Sequence, residues 1–188
     1  NMIVVANKKR KIEKIKEENP GAYILDVTSS SEQYEGKILS PFYPHGRIPI
    51  PGESKTVTAT CVEAIWQGLK VFENDGIDLA MFRNDTMKNI KRTVRKFGKP
   101  LGHQYGVFSK ELLGYDDAKR LIYIPTYKYV LENVASVKRT LDKIRTILET
   151  RDVVLLDYNL NPDNADKSKP LSHAELIKMF LEGRYPEE

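Results

Sequence analysis

Three polar residues near the middle of the chain have the types and the spacing that substrate chemistry uses. Glu63, Gln67 and Lys70 stand at positions i, i+4 and i+7 of the segment CVEAIWQGLKVF. On a helix, at about 100° per residue, these positions fall on one face within roughly 60°. A carboxylate, an amide and an amine on one face can hold a polar substrate, and the carboxylate can act as acid, base or charge stabiliser. The same face also fits a solvated helix surface with ordinary side-chain pairs.

A basic segment further along the chain is the second candidate. The apolar spacing predicts a helix near residues 85–98, with Asp85 or Thr86 as its N-cap and Gly98 just past its end. The cations of this segment follow Asp85: Lys88, Lys91, Arg92, Arg95, Lys96 and Lys99. Clustered lysine and arginine supply the charge and the bidentate geometry that phosphate recognition needs, although a solvated polar face has the same composition.

The late part of the chain holds three aspartates in a polar setting. Asp157 ends an apolar strand pattern, Asp163 and Asp166 follow in a loop, and a helix pattern begins at Ser172. Strand ends and helix N-termini are frequent places for active sites. Aspartate also populates turns for local hydrogen-bonding reasons. No metal site is predicted, because no short ligand spacing joins Cys61 and the histidines, which are His45, His103 and His173.

The elements that must position these residues follow from the hydrophobic periodicity. The predicted strands lie at residues 2–7, 22–28, 37–39, 47–50 and 152–158. The predicted helical segments lie at residues 8–21, 59–73, 85–98, 115–123, 126–150 and 172–183. We therefore predict one α+β domain that is helix-rich and has a small mixed sheet. Asn1 precedes Met2 and is treated as an added residue, so the predicted domain spans residues 2–188.

The composition is that of a soluble globular protein. Of the 188 residues, 40% are hydrophobic and 30% are charged, and the net charge of +4 permits anionic partners without demanding them. We expect no membrane segment, because no apolar run approaches about 18 residues, and no secretory signal pattern opens the chain. Cys61 is the single cysteine, which excludes an internal disulfide framework and predicts a cytoplasmic protein.

The loop LSPFYPHGRIPIPG, followed by VEAIWQGLKVF, resembles the NADAR (YbiA-like) N-glycosidase family. That family has an aromatic loop and then a helix of the form S-E-H-x-x-Q-x-x-K-F. Glu63, Gln67 and Lys70 match its E, Q and K, and Phe42 matches the aromatic residue of the loop. The serine and histidine beside the glutamate are Val62 and Ala64 here.

The later NADAR motifs match less closely. The tryptophan of the second family helix has no counterpart, although Lys88 and the basic segment lie in about its place. The D-x-x-W-G motif has lost its tryptophan and glycine. The choice of the catalytic acid among Asp157, Asp163 and Asp166 therefore stays open.

The resemblance implies hydrolysis of a ribosyl–nitrogen bond, in a phosphorylated N-riboside or in an ADP-ribosylated base that can be part of a nucleic acid. It implies no metal, cofactor or membrane partner. Glu63 would stabilise positive charge on the ribose, Lys70 would donate a proton or form a Schiff base, and an aspartate such as Asp157 or Asp163 would assist. The implied substrate contacts are Phe42, Tyr43, Trp66, Gln67, Lys88, Lys91, Arg92 and Arg95.

Two other functions fit the same residues. In the first, the protein is a nucleic-acid-binding module that uses the basic helix Lys88–Lys99, and Glu63 is only part of the surface. In the second, the protein is an interaction domain without a substrate pocket. The oligomeric state is not indicated by the sequence.

Overall fold

The computed structural model describes residues 1–162 and 169–186, in which helices and short strands alternate. The predicted α+β class is confirmed, and its sheets are small. Two compact units form. The first contains Asn1–Ser40 and the described residues of Asn133–Glu187, and the second contains Pro41–Glu132. The assignment of residues 2–188 to one NADAR-like domain stays a prediction.

The first unit is built on a parallel sheet. Its strands run in the order β1 (Ile3–Asn7), β8 (Val153–Asp157) and β2 (Tyr23–Asp26). The central strand β8 is buried at every position, as its uninterrupted apolar sequence predicts. The predicted helix between the first two strands is α1 (Ile12–Glu18), and its Ile15 packs into the core beside Ala6 and Val154.

Further helices complete the first unit. They are α2 (Tyr34–Lys37), α7 (Ala135–Leu148) and α8 (His173–Leu181). Helix α8 begins as predicted, because the hydroxyl of Ser172 accepts a hydrogen bond from the Glu175 backbone N–H at 3.3 Å. The strand predicted at residues 37–39 is wrong. Gln33 instead hydrogen-bonds the edge of β2 through Asp26 N and Ile24 O, and helix α2 follows.

The second unit has antiparallel strands and short helices. Its strands are β3 (Ile48–Pro49), β4 (Thr58–Ala59), β5 (Lys70–Phe72), β6 (Pro100–Gln104) and β7 (Leu112–Leu113). Its helices are α3 (Val62–Gly68), α4 (Val94–Phe97), α5 (Tyr115–Ala118) and α6 (Ile124–Asn133), with a 3₁₀-helix at Leu79–Arg83 and a π-helical segment at Lys119–Tyr123. Cys61, Ala64, Met81 and Ile90 form a core cluster there.

The helix predicted over residues 59–73 is wrong in its second half. Helix α3 ends at Gly68, and the chain continues as β5, in which Lys70 pairs with His103. A side chain at Gly68 would meet Phe82, since an added Cβ would lie 2.5 Å from Phe82 Cε1. Lys70 therefore lies on a strand, not on the helix face of Glu63.

The basic helix predicted over residues 85–98 is also wrong. Asn84 accepts hydrogen bonds from the backbone and hydroxyl of Thr86 and donates to Lys88 O at 2.9 Å. Such local side-chain bonds compete with a helix. Met87 and Asn89 have φ angles of 64° and 58°, which no α-helix contains. Only α4, at Val94–Phe97, is helical in that stretch.

The long helix predicted over residues 126–150 is divided in two. Helix α6 ends at Asn133, and Val134 adopts an extended conformation with ψ of 117° before α7 begins. The helical turn predicted at residues 115–123 is present as α5 and the π-helical segment. In the part of the chain that the structure describes, no helix is long and apolar enough to cross a membrane.

The approach of α2 to β2 predicts a sensitive position at Gly36. An added Cβ would lie 1.9 Å from Asp26 O, so we expect Gly36→Ala to lower the free energy of unfolding by about 2 kcal/mol or more. Gly76→Ala is the matched control, because an added Cβ there meets nothing within 4 Å. Denaturant unfolding measures both variants. Equal stability of the two would contradict the close approach.

Candidate functional site

Helix α3 is buried along its whole length. Cys61 caps it, because its Sγ accepts a hydrogen bond from Ala64 N at 3.3 Å, and burial raises the pKa of this thiol to about 11. Glu63 and Gln67 are only 9% and 5% exposed. The interpretation of these two residues as a solvated helix face is therefore wrong. Buried polar side chains need partners inside the protein, and the partners here define the site.

Gln67 uses both ends of its side-chain amide. Its Nε2 donates to Glu63 Oε1 at 2.9 Å, and its Oε1 accepts from the backbone N–H of Arg92 at 3.0 Å. The first bond orients the Glu63 carboxylate, and the second ties α3 to the irregular basic segment. Gln67 was predicted to bind substrate. That substrate contact stays a prediction, and in the structure the amide positions Glu63.

Arg92 is the buried cation of this network. Its Nη1 donates to Gln67 O and Lys70 O at 3.3 and 2.7 Å, and its Nη2 donates to Gly76 O at 2.7 Å. The guanidinium also lies over the rings of Phe72 and Phe97. The predicted phosphate contact of Arg92 stays a prediction that this buried position does not favour, because Nη1 and Nη2 donate to backbone carbonyls that hold the turn after α3. Among the described residues, its buried Nε has no hydrogen-bond partner.

Lys70 lies half-buried at the start of β5, beside this network. Burial lowers the pKa of its amine, the negative charge of Glu63 opposes that shift, and the charges of Arg92 and Lys91 add to it. Glu63 and Lys70 therefore influence each other electrostatically although they do not share a helix face. An amine of lowered pKa is a better nucleophile and proton shuttle than an ordinary lysine.

Aromatic rings surround Trp66, which lies one helical turn from Glu63 on α3. The ring of His103 stacks on the indole with centroids 3.9 Å apart, and Tyr115 and Tyr123 lie at 6.1 and 5.7 Å. Because Trp66 is only 8% exposed, its predicted stacking on a substrate base does not fit. Tyr115 is more exposed, and burial followed by the charge of Glu63 raises its pKa.

The other predicted substrate contacts lie in the loop before α3 and in the basic segment, and this loop meets α3 where Pro41 O accepts a hydrogen bond from Glu63 N at 2.9 Å. Phe42 packs against the core cluster of Cys61, and Tyr43 contacts the ring of His45. The remaining basic residues are exposed, and they do not share a helix face: Lys88, Lys91 and Arg95. Of these, Lys91 is the one whose charge reaches Lys70.

Asp157 belongs to the first unit, where it anchors α8. Its Oδ2 accepts from Ser172 Oγ at 2.8 Å and from Ala174 N at 3.2 Å, and its Oδ1 accepts from Tyr158 N at 2.8 Å. His173 Nδ1 lies 3.2 Å from the same Oδ2. These contacts give Asp157 a structural role. Asp163 and Asp166 lie outside the described residues.

A family model matches most of this chain. The model of a family of unknown function, DUF6939, matches residues 7–177. The chain belongs to this family. No curated protein matches the DUF6939 chain. Within residues 1–162 and 169–186, it contains no group of three or more His, Cys, Asp or Glu side chains that could hold a metal ion.

Sequence reasoning missed three residues that the DUF6939 fold brings to α3. His103 and Tyr115 contact Trp66, and Lys119 lies with its Nζ 4.6 Å from the centroid of the Tyr115 ring. Lys119 is 2% exposed and begins the π-helical segment, a geometry frequent at functional sites. The helical turn predicted at residues 115–123 was the available signal, but its position beside Trp66 depends on long-range packing.

The network predicts that Arg92 stabilises the fold. We expect Arg92→Met to lower the free energy of unfolding by at least about 2 kcal/mol, because the carbonyls of Gln67, Lys70 and Gly76 lose a charged donor. Arg95→Met is the matched control, since Arg95 is exposed, and it should change stability by less than about 0.5 kcal/mol. Chemical denaturation decides. A stable Arg92→Met protein would refute the structural role.

Buried His103 predicts a pH dependence of stability. Burial, followed by the charge of Lys70, lowers its pKa from 6.5 to about 3. Between these two pKa values the unfolded chain binds a proton at His103 that the folded protein does not bind. The free energy of unfolding is therefore unaffected by His103 above pH 6.5 and decreases as the pH falls below 6.5. The contribution of His103 to the slope approaches about 1.4 kcal/mol per pH unit.

The measurement is denaturant unfolding between pH 4 and pH 8 for the parent protein and His103→Gln. Removing the imidazole should flatten the acid limb, whereas the two slopes should agree at pH values above the unfolded-state pKa of 6.5. Identical slopes on the acid side would show that His103 accepts a proton in the folded protein as easily as in the unfolded chain.

Proposed function

We propose that this DUF6939 protein is an N-glycosidase that hydrolyses a ribosyl–nitrogen bond in a phosphorylated N-riboside or an ADP-ribosylated base, without a metal. The resemblance to the NADAR family at Glu63, Gln67 and Lys70 motivates the substrate class. The observation that carries the proposal is the electrostatic coupling of a buried carboxylate, Glu63, to an amine of lowered pKa, Lys70.

Glu63 has the environment that this reaction needs. Breaking an N-glycosidic bond builds positive charge on the ribose, and a carboxylate held in a buried site stabilises that charge more strongly than one in water. The bond from Gln67 Nε2 orients the carboxylate without neutralising it. Little reorganisation is then required when the ribose becomes cationic.

Lys70 supplies the second group. In direct hydrolysis, the base leaves with the electrons of the glycosidic bond, its nitrogen takes a proton, and water adds its hydroxyl to ribose C1. Protonated Lys70 can donate that proton and then take up the proton that the attacking water loses. Unprotonated Lys70 can also attack C1 of the open-chain sugar, and the imine forms with loss of water and is later hydrolysed. Burial lowers the pKa of Lys70, which makes the unprotonated amine more accessible than in an ordinary lysine.

Exposed groups next to this pair provide recognition. Tyr115 is within the electrostatic reach of Glu63 and offers a partly exposed ring for a nucleobase. Lys91 is exposed, and its charge reaches Lys70, so it is the cation best placed for a substrate phosphate. We include the cytoplasm in the proposal because the only cysteine, Cys61, is a free thiol.

The nucleic-acid-binding alternative has less support. It used a basic helix over Lys88–Lys99, and that stretch is helical only at Val94–Phe97. Arg92, one of its cations, is buried and donates to backbone carbonyls. Exposed lysines remain, but no observed contact favours a nucleic-acid surface over a substrate phosphate site.

Glu63→Gln tests the proposal. The purified parent protein should release base from ADP-ribosylated guanine DNA or from phosphorylated N-ribosides, measured by chromatography of the products. Glu63→Gln should lower the rate by about 100-fold or more, because the charge is lost while the side chain can still accept from Gln67. Glu73→Gln is the matched control, since Glu73 is exposed, and should retain the parent rate.

A second readout separates the two routes for Lys70. Borohydride added during turnover should attach the sugar covalently to Lys70 if an imine forms, and peptide mass spectrometry locates the adduct. Turnover without an adduct supports the proton-donor route. Lack of turnover by the parent protein on both substrate classes would rule out the proposed function.

A further inference from the structure

The carboxyl edge of the parallel sheet gathers reactive side chains in the first unit. Lys8 follows β1, Asp26 ends β2 and Tyr158 follows β8, and these strands run in the same direction. Parallel strands end at one edge of their sheet, and ligands of open α/β sheets bind outside that edge. Ser30 also reaches this cluster, which shares no residue with the proposed N-glycosidase site.

The ammonium of Lys8 is held by three oxygen atoms. It lies 2.6 Å from Asp26 Oδ2 and donates to Thr28 Oγ1 at 2.9 Å and to Ser30 Oγ at 2.7 Å. Asp26 is fixed in turn, because its Oδ1 accepts from the backbone and hydroxyl of Thr28 at 2.9 and 2.7 Å. These contacts use the three N–H donors of the lysine and direct one of them at Ser30.

Ser30 lies between this lysine and Tyr158. Its Oγ is 2.8 Å from Tyr158 Oη. Since Lys8 can only donate, the Ser30 hydroxyl proton can be directed at Tyr158 Oη or at Thr28 Oγ1, which lies farther away at 3.3 Å. The hydrogen bond from Ser30, followed by the positive charge of Lys8, lowers the pKa of Tyr158. Ser30 is exposed and Tyr158 is 48% exposed, so an outside reactant can reach both.

We propose that Ser30 is the nucleophile of a second reactive site, which takes acyl groups from carboxylic esters, with Tyr158 as its general base. A nucleophile and a base within hydrogen-bond reach, oriented by a third group, form the diagnostic arrangement for covalent catalysis. Lys8 is that third group, because its charge stabilises both the developing alkoxide and the phenolate. The site requires neither Glu63 nor Lys70, so it is independent of the proposed N-glycosidase activity.

The chemical step balances within these groups and water. Ser30 Oγ forms a bond to the ester carbonyl carbon while its proton moves to the phenolate oxygen of Tyr158. The tetrahedral intermediate collapses, the alkoxide leaves with the electron pair of the broken C–O bond, and Tyr158 returns the proton to it. Water then attacks the acyl group on Ser30 while Tyr158 accepts a proton from it. The bond from the acyl carbon to Ser30 Oγ breaks with its electron pair on Oγ, Tyr158 returns the proton to Oγ, and the carboxylic acid is released.

A fluorophosphonate probe tests the site, because it phosphonylates nucleophilic serines with loss of fluoride. Tandem mass spectrometry of the labelled parent protein should place the adduct on Ser30. Tyr158→Phe should slow labelling by about 100-fold or more through loss of the base. Hydrolysis of p-nitrophenyl acetate, followed by absorbance, should fall in parallel.

Two controls separate the site from general surface reactivity. Ser29→Ala, at the neighbouring serine, should label at the parent rate, and so should Glu63→Gln. Ser30→Ala should lose the adduct and keep the circular dichroism spectrum of the parent protein. If the parent protein carries no adduct at Ser30, or if Tyr158→Phe labels at the parent rate, the proposal is overturned whatever the outcome for N-glycosidase activity.

Discussion

The side chain of Gln67 is the polar contact on which the second unit depends. Helix α3 is buried on all sides, so its polar groups must be satisfied by the protein itself. Gln67 meets this requirement by donating to Glu63 and accepting from the backbone of Arg92. The guanidinium of Arg92 then closes the turn that leads from α3 into β5 through the carbonyl of Lys70. The Gln67 amide thus connects the carboxylate of Glu63 with Arg92, and through Arg92 with the turn that leads to Lys70.

The charges around this amide explain why Lys70 differs from an ordinary lysine. Burial is the largest influence on its pKa, and the neighbouring cations Arg92 and Lys91 act in the same direction. Glu63 acts against them, so the amine keeps part of its proton affinity. His103 pairs with Lys70 across β5 and β6 and remains neutral because burial disfavours its charged form. A charged imidazole at that position would add a further cation next to Lys70.

The elements that the sequence predicted well are those whose signals are local. Strand β8 has an uninterrupted apolar run, and α8 has the Ser172 cap at its start. The helix predicted for the basic segment was wrong because the apolar spacing there is helical, whereas the side chain of Asn84 stabilises a turn. The prediction that Glu63 and Lys70 share a helix face was wrong because the pairing of β5 with β6 overrides helix propensity after Gly68. Neither competing interaction is visible in hydrophobic periodicity.

The position of β8 explains why the Ser30 cluster was absent from the sequence prediction. The first two strands are joined by one helix, a connection typical of neighbouring parallel strands, yet β8 lies between them and pairs with both. Its register places Asp157 beside Asn7, so the residues that follow, Tyr158 and Lys8, emerge together at the carboxyl edge. Lys8 then contacts Asp26 and Ser30 beyond the end of β2. The paired residues Ile3 and Val153 are 150 residues apart in the chain. The arrangement of Lys8, Ser30 and Tyr158 therefore arises from strand pairing and not from any local sequence motif.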